Sequence, residues 1–229
     1  MADIRRFRNR AQAGKLLAKA LGAYAHQSEA IVLALPRGGV PVAYAVATSL
    51  DLELDILLVR KLGLPGQPEY AIGAIGSGGV RVLQPGVPGL MGVTQEQIDA
   101  IAARELLEIE RRTRLYRGGR AEPVLAGRNV VIVDDGIATG STMLAAVQVA
   151  RRRDARRVVV AAPVAPPDTL ASLAPLADEV VCLAAPPHFR AVSQWYETFD
   201  QTSDEEVQDL LAMAWRGRDI AHPLRNSGN

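Results

Sequence analysis

Apolar runs and amphipathic stretches alternate along the chain. "AIVLAL" (30–35), "LDILLV" (54–59), "VVIVD" (130–134), "RRVVVAAPV" (156–164) and "EVVCLA" (179–184) are rich in aliphatic residues with few polar interruptions. Such runs predict strands buried on both faces. Between them, residues 10–26 place Leu16, Leu17, Ala20, Leu21 and Tyr24 on one helical face, and "VPVAYAVATSL" predicts a second helix. Thr94 and Gln97 form a capping-box pattern before Ile98, Ile101, Ala102, Leu106 and Ile109, and this helix should stop at Gly118 and Gly119. Further helices are expected near 140–152 and 167–175. The Gly- and Pro-dense stretch 63–89 reads as loops with short strands near 71–76 and 80–83. "HFRAVSQWYETFDQTSDEEVQDLLAMAW" (188–215) is aromatic and then helical, with Asp204 and Glu205 near the helix start. The pattern predicts an α/β fold, a doubly wound and mostly parallel sheet with helices on both faces.

Composition narrows the function classes. A chain of 229 residues can bury a full core as a single domain spanning 1–229. The net charge of +1 gives no general attraction to a polyanion, so any anion must be met locally. "RRRDARR" (151–157) reads as a solvated helix end, and a nucleic-acid partner is not expected. The lone Cys182 lies in an apolar run and is expected to act as a small buried hydrophobe. His26, His188 and His222 have no metal-ligand spacing. No apolar segment follows the basic "MADIRRFRNR", and no run has the length of a membrane span, which together predict a cytoplasmic protein with no membrane partner.

Ligands of open α/β sheets collect at the carboxyl ends of strands. There the runs deliver "PRGG" (36–39), Arg60-Lys61 and "DDGIATGST" (134–142) to one edge. Thr139, Gly140, Ser141 and Thr142 lie between a strand end and a helix start, where free N–H groups and hydroxyls suit a phosphate. The Gly-Lys-Ser/Thr ending of a Walker A loop is missing. Asp134 and Asp135 would repel a bare phosphate but can accept hydrogen bonds from sugar hydroxyls, so a sugar phosphate satisfies both halves. The bland alternative is a polar strand end with an acidic helix cap.

"VVIVDDGIATGSTM" resembles the phosphoribosyl pyrophosphate (PRPP) signature of type I phosphoribosyltransferases, and the order of elements agrees from Ile31 to Leu183. The resemblance implies that Asp134 and Asp135 face the ribose hydroxyls, and that Ala138, Thr139, Gly140, Ser141 and Thr142 hold the 5-phosphate. It also implies Mg²⁺, carried largely by pyrophosphate and ribose oxygens and touched by the two acids indirectly, through ribose hydroxyls or water. Arg37, Gly38 and Gly39 occupy the place of the pyrophosphate loop. Arg60 and Lys61 match the basic pair of adenine-type members, whose mobile loop "RKLGLPGQPEY" resembles, with Glu69 and Tyr70 at its end. Gly63 stands where a second Lys is usual. Ala138 departs from the acid common in members that use 6-oxopurines.

Relative to that family, 84–119 is a helical insertion: an active-site hood, a subunit contact or an extra packed helix. Residues 186–215 occupy the place of a C-terminal hood. Phe189, Trp195, Tyr196 or Phe199 could stack there on a planar acceptor, or instead close the core. The implied reaction transfers the phosphoribosyl group from PRPP to a nucleobase-like or other nitrogen acceptor, with Asp134, Asp135, Arg37 and Lys61 as the catalytic groups. A PRPP-sensing regulator and the reverse, nucleotide-cleaving reaction are the alternatives, and homo-oligomerisation is left open. Both acids, read as a strand-end pair, are expected to tolerate Asn without loss of stability.

Overall fold

The computed structural model describes residues 6–84 and 86–221, the side chains at 68, 69 and 219–221 excepted. Within it, α1 (Arg10–Ala20) leads through a single 3-10 turn to β1 (Ala30–Ala34), α2 (Gly39–Leu50) and β2 (Glu53–Ile56). An antiparallel hairpin follows, β3 (Val59–Leu64) and β4 (Gln67–Gly76), extended by β5 (Arg81–Leu83). Then come α3 (Val87–Leu90), the long α4 (Gln95–Arg117), β6 (Asn129–Val133), α5 (Ser141–Arg152), β7 (Arg157–Val164), α6 (Pro167–Leu173), β8 (Glu179–Ala184) and α7 (Asp204–Ala221).

The main sheet has the order β2-β1-β6-β7-β8 and every pairing in it is parallel. β1 and β6 are buried at all positions because both faces are covered. Alternation divides their side chains between two cores. Ile31, Leu33, Val130 and Ile132 pack with Met143, Ala146 and Val147 of α5. Val32, Ala34, Val131 and Val133 pack with Leu17, Val42 and Val46 of α1 and α2.

Three expectations need correction. The apolar run 54–59 is not one strand, since β2 stops at Ile56 and Val59 begins β3 in a different sheet. Leu57 and Leu58 stay buried through the crossing, so hydropathy carries no mark of the change of partner. "RKLGLPGQPEY" is not an open loop but the β3–β4 hairpin, turning at Gly66 with φ +79° and burying Leu62, Leu64 and Ile72. Finally, α1 ends at Ala20, and Ala20 is exposed while Ala13, Gly14, Leu17 and Ala18 form the buried face.

α4 carries the predicted capping box at Thr94 and Gln97 and ends at Gly118. Near its end, Arg117 is fully buried: it donates to Asp55 of β2 at 2.8 Å, to the Ile56 carbonyl at 2.7 Å and to Glu122 at 2.7 Å. The 84–119 segment is therefore tied into the sheet edge and packs on the hairpin and α7. α7 in turn packs on α2, α4 and β2.

Candidate functional site

Because Ala34 and Val133 are partners across β1 and β6, the strands release their loops side by side at the carboxyl edge. The loops pack so closely that a Cβ on Gly38 would collide with Asp135 Oδ2, and one on Gly39 would lie 2.8 Å from the Val133 carbonyl. Glycine is required at 38 because the Asp135 carboxylate fills the space of a Cβ, and at 39 because the two backbones nearly touch. The Pro36–Arg37 peptide is cis.

Beyond β6 the second loop is braced by the Ile137 N–H donating to the Val164 carbonyl at 2.9 Å and by Thr169 Oγ1 donating to the Ala138 carbonyl at 2.7 Å. Gly140 turns the chain into α5 with φ +78° and supplies no side-chain cap. The first-turn N–H groups of α5 are thus left to a ligand. The side chains of Thr139, Ser141 and Thr142 are exposed, with Thr139 Oγ1 and Ser141 Oγ 3.3 Å apart. They open into a cleft of about 550 Å³ whose opposite wall is the hairpin, with Lys61 and Tyr70, and whose far end holds Gln84 and Gln148. The structure therefore brings Lys61 and Tyr70 to the phosphate-loop candidates.

The two adjacent acids are not equivalent. Asp134 is half-buried, and its Oδ1 accepts the Asp135 N–H at 2.8 Å. Burial and the neighbouring Asp135 charge push its carboxyl well above the usual carboxylate range. Asp135 is buried and accepts from Arg10 Nε at 2.8 Å. Burial pushes its carboxyl up too, against the pull of the guanidinium. Arg10 also donates to the Asp200 carbonyl at 2.6 Å and lies 3.9 Å over the Phe199 ring. The Tyr196 hydroxyl donates to the Asp135 carbonyl at 2.6 Å.

Asp135 thus joins α1, the loop and the C-terminal aromatics, and the expectation that both acids tolerate Asn is corrected for this one. Asp135→Asn should cost about 2 kcal/mol, the scale of a hydrogen bond to a charged group. Urea denaturation would measure it, and a change within error would show that Arg10 finds another partner.

Other candidates also move. Arg60, proposed for PRPP, donates to Glu105 of α4 at 2.8 Å. Arg37 Nη1 lies 3.6 Å from Asp204 Oδ1, at the start of α7. Tyr196 is buried against Phe7, with ring centroids 5.5 Å apart, and cannot stack on an acceptor. Phe189 and Trp195 are half-buried against that same cluster. These aromatics form a small cluster with Phe7, Ala13, Leu16, Val164, Leu183 and Ala184. Glu69 falls in β4, but its side chain lies outside the described residues, as does His222.

Sequence reading missed Arg10, and it did not join Asp204 to Arg37. Arg10 meets Asp135 across 125 positions, and no local pattern joins them. Four of the five arginines of the "RRRDARR" run pair with acids: Arg151 with Asp178, Arg153 with Glu122, Arg156 with Glu29 and Arg157 with Glu179. Among the described residues no helix is long and apolar enough to cross a membrane.

Comparison with known proteins agrees with this architecture. The family model described as "Phosphoribosyl transferase domain" matches residues 3–196. Two relatives from Mycobacterium tuberculosis strains CDC 1551 / Oshkosh and ATCC 25618 / H37Rv carry the names "Putative phosphoribosyl transferase MT0597" and "Putative phosphoribosyl transferase Rv0571c". Each is 51% identical over 210 residues, which cover 92% of this chain and 47% of the relative. The chain spans about half the length of these curated relatives. The crystal structure of TT1426 from Thermus thermophilus matches with a TM-score of 0.83 and 44% identity, over 91% of this chain and 98% of that one. A match through most of the sequence, on a parallel sheet with this loop geometry, places the chain in the phosphoribosyl transferase domain family.

Proposed function

We propose that the chain binds PRPP with Mg²⁺ at the carboxyl edge of the sheet and transfers its 5-phosphoribosyl group to a nitrogen acceptor. The observation carrying this is the adjacency, at the end of β6, of an uncapped helix start rich in hydroxyls and a single available carboxylate, Asp134. The 5-phosphate takes the N–H groups and hydroxyls of residues 138–142, and the ribose hydroxyls donate to Asp134. Arg37 stands on the neighbouring loop, where the pyrophosphate would leave.

In the reaction the C1–O bond to pyrophosphate breaks and its electron pair departs with the pyrophosphate. The acceptor nitrogen supplies the pair for the new C1–N bond and gives up its proton to the departing pyrophosphate or to solvent. C1 becomes cation-like between these events, and the Asp134 carboxylate beside the ribose favours that charge. Arg37 and Lys61 stabilise the departing anion, and the β3–β4 hairpin, which lines one side of the cleft beside the phosphate loop, is the element that would limit water there. Among the described residues no group of three or more potential metal ligands gathers; in this reading the ion comes with the substrate, and Asp134 would meet it through the ribose hydroxyls or water. Mg²⁺, when bound, would neutralise charge on the pyrophosphate.

The test supplies PRPP and Mg²⁺ with a panel of nucleobases and amines and follows pyrophosphate release. Release dependent on one acceptor is expected. Absence of any heat on titrating PRPP and Mg²⁺ at millimolar concentration would overturn the proposal, while binding without turnover would favour a PRPP sensor.

A further inference from the structure

The contact between Arg37 and Asp204 joins three distant parts of the chain. Arg37 lies on the loop after β1, Asp204 is the first residue of α7, and Tyr116 of α4 donates its hydroxyl to Asp204 Oδ1 at 2.6 Å. Tyr116 is buried, and its hydroxyl is pushed up to about 12 by burial and the Asp204 carboxylate, so it remains a donor at neutral pH. A further link, Gln208 Nε2 donating to the Leu115 carbonyl at 2.6 Å, fixes α7 against the end of α4. Asp204 is thus tied to α4 by a short hydrogen bond, whereas Arg37 meets it only through the longer Nη1 contact.

Building on the phosphoribosyl-transfer reading, we infer that Asp204 is a positioning residue for Arg37, held in place by Tyr116, so that α4 and α7 orient the guanidinium for the leaving pyrophosphate. At 3.6 Å the ion pair falls outside hydrogen-bond range, and both side chains are more than a third exposed, so it contributes little to fold stability. Its value is orientation. A guanidinium has five N–H donors, and only Nη1 faces Asp204. Nε and Nη2 of Arg37 have no partner among the described residues, leaving one edge for bidentate contact with an anion. A long side chain restrained before binding loses less freedom when the ligand arrives.

Calorimetry separates orientation from general structure, using inorganic pyrophosphate with Mg²⁺ and, separately, ribose 5-phosphate. Asp204→Asn should weaken pyrophosphate binding about five- to tenfold, and Tyr116→Phe should weaken it less, in the same direction. Both variants should bind ribose 5-phosphate as wild type does and melt at nearly the wild-type temperature. Unchanged or tighter pyrophosphate binding by Asp204→Asn would overturn the assignment, and so would an equal loss for both ligands. A wild-type chain that binds ribose 5-phosphate but not pyrophosphate refutes this role for Arg37 and Asp204 alone. A chain that binds neither refutes the phosphoribosyl reading, and this inference with it.

Discussion

Replacing Asp134 with Asn is expected to lower phosphoribosyl transfer about a hundredfold, roughly 3 kcal/mol of transition-state stabilisation. The variant should fold at least as stably as the wild type. Asn keeps an Oδ1 that can accept the Asp135 N–H, so the local turn survives. What disappears is a negative charge beside a developing cation. Because the Asp134 carboxyl is held above its ordinary range, the folded chain retains this proton to higher pH than the unfolded chain does. Wild-type stability therefore falls as pH rises from the ordinary carboxylate range through the raised folded value. The Asn variant lacks this loss, so a stability gap in its favour should open as pH rises above about 4. Turnover close to wild type would move the ribose contact elsewhere, and a fall in stability would give Asp134 a structural role.

Arg117→Ala should produce the largest loss of stability, about 3–5 kcal/mol, because it strands a buried carboxylate. Asp55 is 3% exposed, and burial already pushes its carboxyl up despite the Arg117 guanidinium. Without that guanidinium, Asp55 must either ionise unpaired or take a proton, and the Ile56 carbonyl loses a donor. Urea denaturation at neutral pH measures the effect, and a second substitution, Asp55→Asn, should recover part of it. The consequence for function is indirect. Arg117 anchors the end of α4 that carries Tyr116, so the single variant should also disturb pyrophosphate binding. A loss below about 1 kcal/mol would mean that another cation, such as Arg153 turning away from Glu122, replaces Arg117 beside Asp55.

The five parallel strands, the α4 capping box and the phosphate-loop candidates were legible because each is local. A strand buried on both faces is apolar at nearly every position, a cap is fixed by residues three apart, and a helix start after a strand exposes its N–H groups whatever surrounds it. The part of the β3–β4 hairpin before residue 71 reads as a loop because Gly63 and Gly66 interrupt its alternation, and its register shifts around Gly63; the strand near 71–76 is legible as the second half of β4. Here the pairing is decided by what the hairpin packs on, namely α4 and α5.

The pair Asp134-Asp135 marks the boundary between what sequence and tertiary structure determine. Sequence alone determined that two carboxylates end a buried strand, followed by glycine and hydroxyls, and hence that a polar ligand with a phosphate suits the edge. Tertiary structure decided that the two acids divide their roles. Arg10, Gly38 and Tyr196 close on Asp135 from three separate segments, while Asp134 is only half-buried and takes no side-chain partner from another segment among the described residues. Arg60 and Arg37 were likewise legible as cations, but their partners Glu105 and Asp204 lie 45 and 167 positions away. Charge belongs to the residue and can be read in order along the chain. Desolvation and pairing belong to the packed neighbourhood, which exists only after the helices have docked on the sheet.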